Sequence, residues 1–138
     1  MNDKPVVLFL CIHNAGRSLA ARVLLDHYAD GRIRVESAGS EPGIQLNPSV
    51  VAILEEQGLD PSQEFPKPLT DETAQIADVI VTMGCGDTCP VFPGKRYLDW
   101  ELDDPGGLSV EQARPIVEEI DRRVQELLTE LVGSSATP

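Results

Sequence analysis

The residues with the clearest chemical potential are Cys11 and Arg17, which stand six positions apart near the start of the chain. A cysteine thiolate is a nucleophile, and the planar guanidinium of arginine can bind two oxygens of an oxyanion at once. Gly16 relaxes the turn between them, and Ser18 begins a helical pattern whose first N–H groups face this segment. These features predict that Cys11 attacks a tetrahedral oxyanion. The predicted oxyanion-binding residues are Ile12, His13, Asn14, Ala15, Gly16, Arg17 and Ser18.

The spacing of Cys11 and Arg17 is a weak signal by itself, because a cysteine and an arginine six apart occur often by chance. A serine directly after the arginine makes the pattern rarer, and an apolar strand before it and a helix after it make it specific. The alternative is that Cys11 is a buried structural cysteine at the end of a strand. The context favours the nucleophile.

Asp104 is the predicted general acid. It lies in the segment Asp-Asp-Pro-Gly-Gly, which follows a predicted strand just as Cys11 does. A carboxyl group at the same sheet edge as Cys11 is well placed to protonate a departing oxygen. The alternative is a turn residue, since Asp-Pro-Gly-Gly is also an ordinary turn sequence.

The other two cysteines are Cys85 and Cys89, four residues apart in a glycine-rich segment. In a reducing compartment such thiols are free, catalytic or redox-active rather than part of a disulfide framework. Half of a metal site is an alternative, with His13 and His27 as further ligands, but the chain has no second cysteine pair. A structural pair of thiols is another alternative. We expect no metal site.

Strands alternate with helices along the chain, which predicts an α/β fold with a short four-stranded parallel sheet flanked by helices. In such sheets ligands bind beyond the carboxyl ends of the strands, where Cys11, Cys85 and Asp104 are all expected. Strands are predicted over residues 5–10, 33–37, 78–83 and 96–99, and helices over 18–29, 47–58, 70–77 and 114–132. Asn47 is predicted to cap the second helix, and Pro115 to lie in the first turn of the last.

Length and charge limit the classes of function. A chain of 138 residues fits one domain, over residues 1–138, with 133–138 as a frayed tail. The net charge of −12 argues against binding to nucleic acid, and no segment reads as a targeting signal or a membrane span. We therefore expect a cytoplasmic monomer that contacts neither nucleic acid nor membrane.

Two motifs resemble a known family. The Cys11-x5-Arg17-Ser18 loop and the late Asp104-Pro105 pair look like the low-molecular-weight protein tyrosine phosphatase family, whose fold is a three-layer α/β sandwich. Four further segments are more similar to the arsenate reductase branch of that family. They are Val-Glu-Ser-Ala-Gly at 35–39, Asn-Pro at 47–48, Thr-Met-Gly-Cys-Gly-Asp-Thr-Cys-Pro at 82–90 and Trp-Glu-Leu-Asp-Asp-Pro at 100–105.

The resemblance implies reduction of arsenate to arsenite. Cys11 would form an adduct with arsenic, assisted by Asp104. Cys85 and Cys89 match the relay cysteines of the thioredoxin-coupled members, so thioredoxin is the implied electron donor. No cofactor is implied, because three thiols carry the electrons.

Two other functions remain open. A phosphatase would use Cys11, Arg17 and Asp104 in the same way, with water hydrolysing the intermediate. It is the less favoured, because Gly106-Gly107 follows Asp104-Pro105 and the chain holds only three Phe and two Tyr to line an aryl pocket. A non-catalytic thiol sensor for arsenite or a soft metal is the other possibility, and it leaves Arg17 unexplained.

Overall fold

A four-stranded, wholly parallel sheet forms the centre of the computed structural model, which describes residues 4–83 and 94–132. The strands are β1 (Val6–Cys11), β2 (Arg34–Gly39), β3 (Val79–Thr82) and β4 (Arg96–Asp99). Their order across the sheet is β2-β1-β3-β4. The predicted α/β architecture is therefore confirmed. Cys85, Cys89 and the predicted frayed tail at 133–138 lie outside the described residues.

Helices cover both faces of this sheet. They are α1 (Arg17–Ala29), α2 (Pro48–Glu56), α3 (Asp71–Ile76) and α4 (Val110–Val132). Helices α1, α2 and α4 pack together over one face and share the larger hydrophobic core. Helix α3 contacts β1, and a smaller core covers the opposite face. The result is three layers: helices, sheet, and a thinner helical and loop layer. No helix in the described ranges has the length and apolarity needed to cross a membrane.

Strand β1 is buried on both of its faces, as its continuous apolar sequence predicts. Successive side chains of a strand point to opposite faces, so Val7, Phe9 and Cys11 join the larger core. Leu8 and Leu10 join the smaller one. The alternation directs the side chain of Cys11 toward the layer that contains α1.

Helix α4 begins earlier than predicted, at Val110 rather than near residue 114. Ser109 and Gln112 form a reciprocal cap: Gln112 N donates to Ser109 Oγ at 3.2 Å, and Ser109 N donates to Gln112 Oε1 at 3.1 Å. Pro115 consequently lies inside the helix, so its predicted place in the first turn is wrong. The cap and the long apolar stripe of α4 outweigh the loss of one backbone hydrogen bond at the proline.

The cap of α2 is confirmed. Asn47 Oδ1 accepts hydrogen bonds from Ser49 N at 2.9 Å and Val50 N at 3.2 Å, and Pro48 occupies the first turn, where it needs no hydrogen bond. This cap fixes the start of α2, and Asn47 N donates to Ala15 O at 2.8 Å, in the loop after β1.

Candidate active site

The four strands end at the same edge of the sheet. Cys11 is paired with Gly39, and one residue back Leu10 is paired with Thr82. Thr82 is in turn paired with Asp99 on β4. The loops that follow all four strands therefore leave the sheet side by side, as expected for a parallel α/β sheet.

Cys11 is the last residue of β1 at this edge, and only 2% of its surface is exposed. Its Sγ is 2.9 Å from Ser18 Oγ, and Asn14 N donates to Sγ at 3.2 Å. Ser18 Oγ also accepts from Asn14 Nδ2 at 2.7 Å, and it forms a hydrogen bond with the Cys11 sulfur in which either atom can be the donor. The hydroxyl of Ser18 and the backbone N–H of Asn14 thus hold the sulfur of Cys11 in place at the floor of the site.

Asn14 organises the anion loop, which we define as residues 12–18. It adopts a left-handed conformation with φ of 53°, which asparagine tolerates better than most residues. Its side chain is buried and spans two segments, donating to Ser18 Oγ and accepting from Lys67 N at 2.8 Å. Asn14 is one of the oxyanion-binding residues predicted from the sequence, but its left-handed conformation and its bond to Lys67 N were not predicted. An asparagine in a turn was the available signal for this conformation.

Gly39 allows β2 to end directly against the anion loop. A Cβ at this position would lie 2.6 Å from Ile12 O and 3.0 Å from Asn14 N. Both contacts are too short for a carbon atom, and the atoms met are backbone that cannot turn aside. The close packing of the loop on β2 therefore requires glycine here.

Arg17 is the first residue of α1, and it is 92% buried, with 8% of its surface exposed. Its Nη1 contacts Leu102 O at 3.4 Å, a long hydrogen bond to the segment that precedes Asp104. No side chain in the described part of the protein caps the Gly16 end of α1. The first N–H groups of the helix therefore remain available to an anion beside the guanidinium.

Asp104 makes a turn contact and also lines the candidate site. Its Oδ1 accepts from Gly106 N at 2.9 Å, which is an ordinary turn contact. The residue is also exposed and lines the same cavity as Cys11 and Arg17. The turn holds one carboxyl oxygen, and Asp104 lines the cavity that Cys11 also lines.

A cavity of about 370 Å³ opens above Cys11. The loops after β1, β2 and β4 form its walls, and small or apolar residues such as Ala15, Leu46 and Pro105 make up much of its lining. The residues that line it are Cys11, His13, Ala15, Gly16, Arg17, Gly43, Gln45, Leu46, Asn47, Pro48, Asp104, Pro105 and Gly106. The part of the lining that comes from Gly43 and residues 45–48 was not predicted from the sequence. Their position after β2 was the usable signal.

The histidines and the other two cysteines were also weighed as site residues. His13 is exposed and lines the cavity, whereas His27 lies in the last turn of α1 against the ring of Tyr28. The segments 4–83 and 94–132 contain no group of three or more His, Cys, Asp or Glu residues able to hold a metal. Cys85 and Cys89 fall outside these segments.

A cationic side chain flanks the loop on its outer side. Lys67, whose backbone N–H binds Asn14, carries its ammonium group 3.9 Å from Glu64 Oε1. Partial burial lowers the pKa of Lys67, and the neighbouring Glu64 charge opposes that effect. The ammonium group is thus held by an ion pair and lines no part of the cavity.

Known proteins with this architecture match most of the chain. The family model described as low molecular weight phosphotyrosine protein phosphatase matches residues 6–136. The glutaredoxin arsenate reductase of Synechocystis is 31% identical over 128 residues, which cover 91% of this chain and 97% of that protein.

Two solved structures are similar in both sequence and fold. The thioredoxin-dependent arsenate reductase of Corynebacterium glutamicum is 49% identical with a TM-score of 0.80; the match covers 93% of this chain and 61% of that one. An arsenate reductase in the phosphate-binding state is 30% identical with a TM-score of 0.82, and the match covers 92% of this chain and 98% of that one.

Proposed function

We propose that this chain, which belongs to the low molecular weight phosphotyrosine protein phosphatase family, is an arsenate reductase that uses Cys11 as its nucleophile. One observation carries the proposal. The Cys11 sulfur, held by Ser18 and Asn14, shares a cavity with the guanidinium of Arg17 and the carboxyl group of Asp104. The similarity to proteins named arsenate reductase supports arsenate as the oxyanion.

The first step is adduct formation. Backbone N–H groups of the anion loop and the guanidinium of Arg17 bind the arsenate oxygens. The Cys11 thiolate attacks arsenic, and Asp104 donates a proton to a hydroxyl group of arsenate, which leaves as water. The sulfur of Cys11 is then bonded to pentavalent arsenic.

The second step moves two electrons to arsenic. The thiolate of Cys85 attacks the Cys11 sulfur, the sulfur–arsenic bond breaks, and its electron pair stays with arsenic, which leaves as arsenite. Cys89 then attacks Cys85, which releases the Cys11 thiolate and forms a Cys85–Cys89 disulfide. Thioredoxin reduces that disulfide and completes the cycle.

The position of Cys85 in the chain supports this relay. Met83 N donates to Leu10 O at 2.8 Å, so the described part of the chain after β3 ends beside the strand that carries Cys11. Cys85 is only two residues beyond Met83, and two residues span at most about 7 Å. The connection is therefore short enough to bring the two sulfurs together.

The deciding experiment uses the Cys89→Ser enzyme. It should release one arsenite per enzyme and then stop with a Cys11–Cys85 disulfide, which peptide mapping identifies. Cys11→Ser, the matched control, should release none, because a hydroxyl cannot form the disulfide. Repeated turnover of Cys89→Ser with thioredoxin as the sole reductant would show that Cys89 is not needed and that the three-cysteine mechanism is wrong.

The reductant is tested in the same assay. The turnover rate of the unaltered enzyme is measured with each of two donor systems, thioredoxin with its reductase and glutaredoxin with glutathione. Both are tested because the similar proteins are named for different donors. We expect sustained turnover with thioredoxin. Turnover with glutaredoxin but not with thioredoxin would show that glutaredoxin reduces the enzyme in the final step.

Phosphate-ester hydrolysis is the second candidate, because the family is named for it and the cavity is much larger than an inorganic oxyanion. Para-nitrophenyl phosphate is the probe. A phosphatase would hydrolyse it equally well when Cys85 and Cys89 are both changed to Ser. Hydrolysis faster than arsenate reduction in the unaltered enzyme would favour this function.

A further inference from the structure

We propose that Asn47 is a positioning residue that holds the Asp104 loop, residues 104–108, against the anion loop, so that the Asp104 carboxyl reaches the departing oxygen. The inference rests on the proposed role of Asp104 as general acid. It assigns to Asn47 a task beyond capping α2.

The hydrogen bonds of Asn47 join three parts of the site. Its backbone N–H donates to Ala15 O at 2.8 Å, in the anion loop. Its Nδ2 donates to Pro105 O at 3.1 Å, in the Asp104 loop. Its Oδ1 accepts from the first turn of α2. The partners fix the orientation of the amide, because a reversed amide would place oxygen against the Pro105 carbonyl and NH₂ against N–H donors.

A second bond and a close contact hold the same loop. Ser49 Oγ donates to Leu108 O at 2.7 Å, so the start of α2 binds the Asp104 loop near both of its ends. Pro105 is buried against the anion loop, where a Cβ at Gly16 would lie 2.9 Å from Pro105 Cγ. The Asp104 loop is therefore clamped between α2 and the anion loop.

Capping alone does not require asparagine at position 47. Serine, threonine or aspartate supplies the acceptor that an N-terminal cap needs. Only an amide adds a donor that reaches Pro105 O while the cap is kept. Asp104 itself is held by a bond within its own turn. The distance of that turn from Cys11 is thus set from outside, by Asn47, Ser49 and the packing of Pro105.

The test separates the cap from the clamp. Asn47→Ser keeps a cap acceptor but has no amide to reach Pro105 O, and Asn47→Ala loses both. We expect Asn47→Ser to slow single-turnover arsenite release about tenfold or more, because small displacements of a reacting group cost rate steeply. Its affinity for inorganic phosphate should stay unchanged, and its Tm should fall less than that of Asn47→Ala, because the cap of α2 is kept. Thr70→Ala is the matched control, since it removes the cap of α3 and should lower stability without slowing release.

Coupling to Asp104 shows whether Asn47 acts through it. In the Asp104→Asn background, Asn47→Ser should cause no further loss, because the group it positions is gone. An undiminished loss in that background, or full activity of Asn47→Ser beside a slow Asp104→Asn, overturns the inference and leaves the general acid in place. Full activity of Asp104→Asn alone overturns the general acid and the inference together. Asn47→Thr serves in the same way if Asn47→Ser folds poorly.

Discussion

The sulfur of Cys11, the proposed nucleophile, is contacted by two residues close to it in sequence. Ser18 and Asn14 place a hydroxyl and a backbone N–H on its sulfur. Neither group is charged, yet each gains strength in a buried site because competing water is excluded. The side chain of Asn14 fixes both, by binding Ser18 Oγ and the backbone of Lys67. The position of the Cys11 sulfur and the conformation of the anion loop therefore depend on the same hydrogen bonds.

The guanidinium of Arg17 provides the first prediction. Arg17→Lys should lower kcat/KM for arsenate on the order of 10²-fold or more, because an ammonium group cannot copy a planar fork that binds two oxygens. Steady-state kinetics measure the loss, and circular dichroism checks that the fold is kept. A near-normal kcat/KM in this variant would show that Arg17 does not bind the arsenate oxygens.

The carboxyl group of Asp104 provides the second. Asp104→Asn should slow adduct formation at neutral pH on the order of 10²-fold, because the amide cannot donate the acid proton in the same way. Binding of inorganic phosphate should be unaffected. An unchanged single-turnover rate would leave Asp104 as the turn residue that its bond to Gly106 N also allows.

Among the secondary-structure elements, α1 carries the anion loop and depends on α4 for its packing. Tyr28 of α1 lies against Asp121 and Gln125 of α4. Burial raises the pKa of Tyr28 to about 12, and a hydrogen bond and the charge of Asp121 add to the effect. The folded state thus binds the hydroxyl proton more tightly than the unfolded chain does.

This raised pKa gives the third prediction. The contribution of Tyr28 to the free energy of unfolding should be constant below pH 10, the usual pKa, and should be lost as pH rises through about 12. Tyr28→Phe should therefore weaken the alkaline loss of stability, measured by urea unfolding between these pH values. The unaltered protein is the control and should show the full alkaline loss of stability. Equal slopes of stability against pH for Tyr28→Phe and the unaltered protein would contradict the prediction.

At the scale of the whole molecule, charge opposes substrate capture. The chain carries a net charge of −12, so its overall field repels an anion. Local groups must overcome this, namely the N–H groups of the anion loop and the guanidinium of Arg17. Long-range repulsion and short-range binding respond differently to salt.

This contrast gives the fourth prediction. Raising KCl from about 10 to about 100 mM shortens the screening length from about 30 to about 10 Å, so kcat/KM for arsenate should rise at least about two-fold. Potassium sulfate at equal ionic strength is the control. It should give a smaller rise or a fall, because sulfate competes for the anion loop. A steady decrease with KCl would show that attraction, rather than repulsion, dominates at long range.

The sequence by itself determined the elements and the identity of the anion loop. Alternating apolar strands and helices, and the pattern from Cys11 to Ser18, depend on local periodicity and spacing, which the chain carries explicitly. Helix α4 was predicted to start too late, because Pro115 was placed in its first turn, whereas the Ser109–Gln112 cap begins the helix at Val110. Only the tertiary structure decided which side chains meet across the sheet edge. The contact of Asn47 with Pro105 joins residues 58 positions apart, and that of Asn14 with Lys67 joins residues 53 apart. No local pattern records such pairs, because strand register and loop packing, set by the whole core, bring them together.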